Sequence, residues 1–471
     1  MKLTEICLLL ITSIMLYGYV FGFLTVKKRG IVLAASGMMI FLFHTVIDGF
    51  RIQLIPLYAL FAICTISCAI YAFFQKNSHP GRKPKLWKRI AAGTAGTLAV
   101  AAALIVPLYL LPIIKIMEPT GPYAIGTTEY HWVDQNREET NSADPTDRRE
   151  LLVRVWYPAE VTAEAEKAPY ALEPEQGKLA GRNLSFFYRM VLHSVMKAEN
   201  HSYAGVPVTA DKQQYPVLVF SHGYGLSNFM YTNQIENLAS HGYIVFSIEH
   251  PYYAGIPTIF PDGRIVEEQV DLTNDDIDLD EEINIWIADV LFALDNIEAL
   301  NETDPQGILT GMLDISRIGM FGHSFGGAAT SQVMHRDSRI QAGVNMDGFF
   351  FGPIIEEGLE NPFMYLTAAA EAYMENPDGS RMKEEEMPEE LLKELQEMRA
   401  DDLKRKEGIL KNGGSVVVLE GGEHESFSDM MLYSPLMVTR DLSLLEKINQ
   451  ELLQFFDEHL KSPPSQKEDG A

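Results

Sequence analysis

Beyond residue 117 the sequence has no cysteine: Cys7, Cys64 and Cys68 all lie in its first quarter. The remaining ~350 residues therefore form no disulfide and carry no thiol chemistry, and a chain of that length has an ample hydrophobic core to rely on instead. Positive charge is scarce in the same region. Residues 118–471 hold 26 Lys and Arg against 62 Asp and Glu, a formal charge of −36. That argues against nucleic acid and other polyanions as partners, and it predicts repulsion from anionic lipid rather than electrostatic docking.

Charge of either sign is missing from four N-terminal runs. Ile6–Val26, Ile31–Ile47, Ile52–Phe74 and Ile90–Ile114 contain no Asp, Glu, Lys or Arg, and each approaches the ~20 residues that cross ~30 Å of hydrocarbon. About four transmembrane helices are expected. The second run is the weakest because it is short and ends near His44 and Asp48. A cleaved leader is not expected: the first run is long, lacks a small-x-small site and is followed by three similar runs. Lys27, Lys28 and Arg29 follow the first run, and Lys76, Arg82, Lys83, Lys85, Lys88 and Arg89 follow the third. The positive-inside rule then puts both basic loops in the cytoplasm, and the N-terminus and everything after Lys115 outside the cell membrane.

The expected organisation is a membrane region over 1–117, a catalytic domain over 118–462 and a disordered tail over 463–471. Glu118–Tyr123 and the polar stretch Asp134–Arg149 have the composition of linkers, the second preceding the strand-like Leu151–Pro158. Short apolar runs then alternate with helix-length segments: Val217–Phe220, Tyr243–Ile248, Arg317–Gly322, Gln341–Met346, Pro362–Leu366 and Ser415–Glu420. Such alternation predicts an α/β fold, a mostly parallel sheet covered by helices. Ile283–Ala299 is one covering helix and Leu445–Leu460 a final amphipathic one. Glu384–Lys411 is a solvated, charged helix. The acidic run Asp271–Glu282 lacks the glycine and terminal-Glu spacing of a calcium loop and reads as the lead into the helix at Ile283.

The chemistry is concentrated in Gly322-His323-Ser324-Phe325-Gly326, which follows an apolar strand and precedes Gly327-Ala328-Ala329. This is the form of a nucleophile elbow, in which a strand turns sharply into a helix with the serine at the apex. In the α/β-hydrolase order the acid and then the base follow the serine. The histidines available are His335, His424 and His459, and only His424 lies in a loop just past a strand. Among the intervening acids Asp347 alone ends an apolar strand, QAGVNMD. The oxyanion site needs two backbone N–H groups. Phe325 supplies one, and Tyr224, in the turn His222-Gly223-Tyr224-Gly225 that ends VLVFSHGYG, supplies the other. His222 in that turn reads as a structural hydrogen-bonding residue.

The strings VLVFSHGYG, LASHGYIVFSIEHPYYA, IGMFGHSFGGAA, VNMDG and HESFSD resemble those of the platelet-activating factor acetylhydrolases, the secreted and intracellular type II enzymes with their bacterial relatives. The likeness runs from GPYAIGTTE at Gly121 through the final helix. It implies an α/β-hydrolase fold, a Ser324–His424–Asp347 triad and an oxyanion hole of the Tyr224 and Phe325 amides. It further implies calcium-independent hydrolysis of short or oxidised acyl chains of phospholipids and related esters, with no metal or organic cofactor. The N-terminal spans and a charged insertion after Asn376 have no counterpart in those enzymes, and Tyr224 stands where an aliphatic residue is common.

The expected protein is thus a membrane-anchored serine ester hydrolase acting on a lipid or small-molecule ester. A general carboxylesterase or polyester hydrolase, and a catalytically silent membrane sensor with a hydrolase fold, are the alternatives. The rings of Tyr224 and Phe325 are expected to narrow the acyl side. Gly348–Phe351 and Ser185–Tyr188 are candidates for a wider alcohol side.

Overall fold

The structure is a computed structural model that describes residues 2–21, 27–74, 85–110, 114–171, 194–274, 277–368 and 388–461. It forms two compact units: Met1–Ile114 with Ala180–Ala198 and Tyr433–Met437, and Lys115–Leu179 with Glu199–Leu432 and Val438–Ala471.

The first unit is helical: α1 Leu3–Val20, α2 Lys27–Ile47, α3 Ile55–Phe74 and α4 Leu86–Ile105. Leu8, Met15, Leu54, Leu57, Phe61 and Cys64 form its core, yet its outward faces are apolar too, with Met39 68% and Val46 83% exposed. A helix that is apolar all round belongs in a core or in lipid. Among the described residues three helices are long and apolar enough to cross a membrane, Leu3–Val20, Lys28–Ile47 and Leu86–Leu110, rather than about four. The second run, expected to be the weakest, is a full helix. The third run opens with the 3₁₀ turn Ile52–Leu54 and continues as the 20-residue α3, in which the apolar stretch among the described residues is Ile55–Ile70.

Polar groups in this bundle satisfy one another. Glu5 pairs with Arg51 and accepts the Lys2 backbone N–H at 2.8 Å. The fully buried His44 lies 3.0 Å from the Thr4 hydroxyl and 2.7 Å from that of Tyr58.

The second unit is built on a nine-stranded mixed sheet. Its strands are β1 Ala124–Glu138, β2 Arg148–Ala159, β3 Tyr203–Ala204, β4 Tyr215–Ser221, β5 Ile244–Glu249, β8 Leu313–His323, β9 Ile340–Met346, β10 Phe363–Ala368 and β11 Ser415–Leu419. β6 Thr258–Ile259 and β7 Ile265–Val266 pair as a separate hairpin. The order is β11-β10-β9-β8-β4-β5-β2-β1-β3. β2 is antiparallel to both β1 and β5, whereas each adjacent pair along β5-β4-β8-β9-β10-β11 is parallel. Every residue of β4 and β5 is buried, which is why these strands read as continuous apolar runs rather than alternations.

The helices of this unit are α5 Thr232–Ser240, α6 Leu279–Glu302, α7 Phe325–Arg336, α8 Glu389–Leu410 and α9 Leu442–Phe456. Trp286, Val290 and Leu294 of α6 and Ala329 and Val333 of α7 share a core with Val217, Val219 and Met320. Phe456 of α9 meets Phe321 instead, ring centroids 5.8 Å apart, so successive residues of β8 face opposite helix layers. Within the acidic run Asp278 is the N-cap of α6, its carboxylate accepting the N–H groups of Asp280 and Glu281.

The polar stretch 134–149 is not a linker. β1 continues to Glu138 and pairs with β2 through a hairpin, and part of its charge turns inward. Arg149 donates to Asp289 at 3.0 and 2.6 Å and to Glu139 at 2.9 Å, and Arg137 donates to Asp289 at 2.9 Å. Asp289 is fully buried in α6, and its charged partners account for burial that hydropathy does not predict.

Candidate active site

Three strand ends and one turn converge on Ser324. β8 ends at His323, and Ser324 is the N-cap of α7 with φ 53° and ψ −121°. A non-glycine residue in that region is strained and is held by its surroundings. Those surroundings admit no side chains: a Cβ on Gly322 would lie 2.2 Å from the Gly326 carbonyl oxygen, and one on Gly326 would lie 2.3 Å from that of Ser221. The glycines of the motif thus allow α7 to start against the end of β4.

The structure brings Ser324, His424 and Asp347 together. His424 Nε2 is 3.0 Å from Ser324 Oγ, and its Nδ1 is 2.8 Å from Asp347 Oδ2. Asp347 follows β9, also with positive φ, 53°. Its other oxygen, Oδ1, accepts the Thr367 hydroxyl and the Ala368 N–H, each at 2.7 Å. Burial opposes charge on Asp347, but the hydrogen bond and charge of His424 hold its carboxyl below the ordinary 3.8. Burial likewise opposes the His424 imidazolium, and the Asp347 bond and charge outweigh it, raising the ring above the ordinary 6.5. A neutral imidazole facing a serine hydroxyl, with a carboxylate fixing its Nδ1–H, can remove the hydroxyl proton and return it to a leaving group.

The oxyanion candidates sit as the sequence suggests, one at the start of α7 and one in the turn after β4. Gly223 N–H donates to the Tyr231 hydroxyl at 3.0 Å and Gly225 N–H to the Tyr253 carbonyl at 3.0 Å. The amide between them, Tyr224 N–H, has no protein acceptor among the described residues, and neither has Phe325 N–H. Of the two rings, that of Phe325 differs from expectation. Phe325 is 4% exposed, packed T-shaped on Trp286 at 5.2 Å and tilted against Phe351 at 5.6 Å, so it belongs to the core. Tyr224 is partly exposed, tethered through its hydroxyl to the Val270 carbonyl at 3.0 Å. Phe350 is buried and Phe349 and Phe351 are partly exposed, while Ser185–Tyr188 lies outside the described residues.

Of the remaining histidines, His335 is exposed at the end of α7 and His459 packs on Phe455 at 4.7 Å. His222 is structural. Its Nδ1–H donates to the Gly223 carbonyl at 2.8 Å, and Nε2 accepts the His250 N–H at 3.0 Å.

Sequence reasoning missed a second Ser-His-Asp chain beneath the oxyanion turn. Ser221 Oγ is 2.9 Å from His250 Nε2, and His250 Nδ1 is 2.9 Å from Asp289. All three are 0% exposed, and His250 is stacked on Trp286 at 3.8 Å. No ester reaches them, so these residues fix the end of β4 rather than perform chemistry. They carry no local signal, because 29 and 39 residues separate the partners.

Comparison with known proteins points to ester hydrolases. The sequence model of the family described as "Platelet-activating factor acetylhydrolase, isoform II" matches residues 112–459. A probable 1-alkyl-2-acetylglycerophosphocholine esterase of Arthroderma benhamiae is 27% identical over 334 residues, covering 68% of this chain and 76% of its own. The platelet-activating factor acetylhydrolase of Bos taurus is 24% identical over 368 residues, covering 68% and 73%. Among solved structures, a ferulic acid esterase from Streptomyces cinnamoneus matches with a TM-score of 0.56 and 27% identity, over 76% of this chain and 97% of that one.

Proposed function

Since the chain belongs to the platelet-activating factor acetylhydrolase isoform II family, and is thereby a carboxylic ester hydrolase, we propose that it is membrane-anchored and uses Ser324 as its nucleophile. His424 removes the Ser324 proton as Oγ bonds to the ester carbonyl carbon, and the resulting oxyanion accepts the N–H groups of Tyr224 and Phe325. His424 then gives its proton to the departing alcohol oxygen, leaving an acyl-enzyme. Water, deprotonated by the same imidazole, bonds to the acyl carbonyl carbon, the bond to Oγ breaks to release the acid, and the imidazolium returns the proton to Ser324 Oγ. Asp347 stays ionised, fixing the tautomer and balancing the imidazolium. The observation that carries this reading is the unbroken Ser324–His424–Asp347 chain at 3.0 and 2.8 Å.

The proposed substrates are short-chain acyl esters of phospholipids or related alcohols. The partly exposed Tyr224 ring, beside an oxyanion donor and tied to Val270, supports a restriction on the acyl side. A fluorophosphonate should label Ser324 and no residue in Ser324→Ala. On a panel of glycerophospholipid and simple aryl esters of increasing acyl length, kcat/KM should fall beyond a few carbons whatever the alcohol. Tyr224→Ala, which keeps the amide, should flatten that profile. A preference for long acyl chains would overturn the restricted pocket. Activity confined to aryl esters would favour the general esterase that the likeness to a ferulic acid esterase suggests. No labelling of folded protein would favour the silent sensor.

The anchoring part of the proposal rests on the apolar helices and on the basic residues of Gln75–Arg89, which favour the cytoplasmic side. With α3, a 20-residue helix over Ile55–Phe74, taken as the fourth crossing, the N-terminus and the hydrolase unit then lie outside the cell membrane. In intact cells, an impermeant thiol reagent should modify Ser142→Cys and spare Ser78→Cys, in a background without Cys7, Cys64 and Cys68. The reverse pattern would invert the topology.

A further inference from the structure

The structure assigns a positioning role to two residues outside the triad: Tyr231 and His323 form a hydrogen-bond relay that fixes the oxyanion turn and the His424 loop relative to one another. This rests on the Ser324–His424–Asp347 reading above.

The direction of each bond is determined. His323 Nε2 lies 3.0 Å from the His424 carbonyl oxygen. A carbonyl only accepts, so Nε2 carries the proton. His323 is buried, and burial, with the neighbouring His424 charge, pushes its pKa down to about 3. The ring is therefore neutral and its Nδ1 is an acceptor. The group facing it is the Tyr231 hydroxyl, at 2.8 Å, which must donate. The Tyr231 oxygen then accepts the Gly223 N–H at 3.0 Å.

The relay accordingly runs Gly223 N–H, Tyr231 O–H, His323 Nε2–H, His424 carbonyl. It spans elements far apart in the chain: Tyr231 and His323 are 92 residues apart, His323 and His424 101. Packing holds each ring in place. Tyr231 lies 4.6 Å from Phe220, and His323 4.6 Å from the His424 ring and 5.8 Å from Phe427. Gly223 has to be glycine for the turn to come this close, since a Cβ there would lie 2.9 Å from His323 Nδ1 and 3.2 Å from Ser324 Cβ.

The functional consequence follows from which groups are occupied. Taking up the Gly223 N–H fixes the peptide that precedes the Tyr224 amide. Holding the His424 carbonyl fixes the backbone from which the base reaches Ser324. Tyr231 and His323 touch neither substrate nor reacting atoms. Their loss should misplace groups that act on the transition state and leave ground-state binding intact.

Tyr231→Phe keeps the ring and removes the hydroxyl. In the full-length protein, kcat should fall on the order of 10–100-fold with KM within about twofold, short of the ~10²–10³ seen when an oxyanion donor is removed outright. His323→Gln keeps an N–H for the His424 carbonyl, whereas His323→Leu has none. The Gln variant should therefore be at least about fivefold faster than the Leu variant at similar thermal stability. Should Tyr231→Phe not fold, the His323 pair carries the same test. Wild-type kcat in folded Tyr231→Phe, or His323→Gln no faster than His323→Leu, overturns the relay. Ser324→Ala, assayed alongside, separates the two readings: if it is inactive while Tyr231→Phe behaves as wild type, only the relay fails. If folded Ser324→Ala still turns over ester, the triad fails and the relay with it.

Discussion

Ser324→Ala should lower kcat by as much as ~10⁶-fold, and His424→Ala by a similar amount, with the double variant scarcely worse than either. The non-additivity follows from the geometry. Among the described residues the proton acceptor within hydrogen-bond reach of Ser324 Oγ is His424 Nε2, at 3.0 Å, so without the imidazole the hydroxyl remains a weak nucleophile, and without the hydroxyl the imidazole has nothing to activate. The second serine with a histidine partner does not substitute, because Ser221 and His250 are sealed in the core. The variants should fold, since Ser324 contributes its backbone N–H to the Met346 carbonyl at 3.0 Å and that bond survives truncation to Ala. Steady-state rates on an acetyl ester, with circular dichroism as the folding control, decide the matter. Retention of more than about a hundredth of wild-type kcat in a folded variant would remove Ser324 from the mechanism.

The residues brought together at Ser324 were legible because the signal of each is local. An elbow is a five-residue pattern between a strand and a helix, Asp347 follows the largely buried β9, and His424 follows the apolar run of β11, an edge strand that is itself mostly exposed. The parallel strands β4, β5, β8, β9 and β10 stand out for the same reason. β1 did not. Its second half and the hairpin beyond it are charged and for the most part at least partly exposed, and buried charged residues there such as Glu139 and Arg149 are held through Asp289, some 140–152 residues away in sequence from the two arginines it receives. Tyr231 and His323 were equally invisible as a pair, since what links them is a contact made by the finished fold. In the helical unit, hydropathy located the apolar runs but not where each helix starts, and α3 begins a turn later than its apolar run suggests.

Asp347→Asn should lower kcat by about 10⁴-fold, the cost of the wrong tautomer in the serine-protease triad that serves as the worked template. The environment of Asp347 explains why an isosteric amide does not repair the site. Oδ1 is fixed by two donors, the Thr367 hydroxyl and the Ala368 N–H, each at 2.7 Å. The hydroxyl can rotate away, but the backbone N–H cannot. An asparagine therefore keeps its oxygen on Ala368 and turns its NH₂ toward His424 Nδ1. Nδ1 must then accept, which moves the ring proton to Nε2, where it points at Ser324 Oγ and blocks proton removal. The pH profile supplies an independent check. Activity requires neutral His424, so kcat/KM is lost as pH falls through the pKa of that ring. In the wild type Asp347 holds this pKa above the ordinary 6.5 against burial, so the acid limb should lie above 6.5. With the carboxylate gone, burial remains, and the limb of the residual activity should move to lower pH. A folded Asp347→Asn enzyme that loses less than about tenfold in kcat, or whose acid limb stays where the wild type has it, would show that another group orients His424.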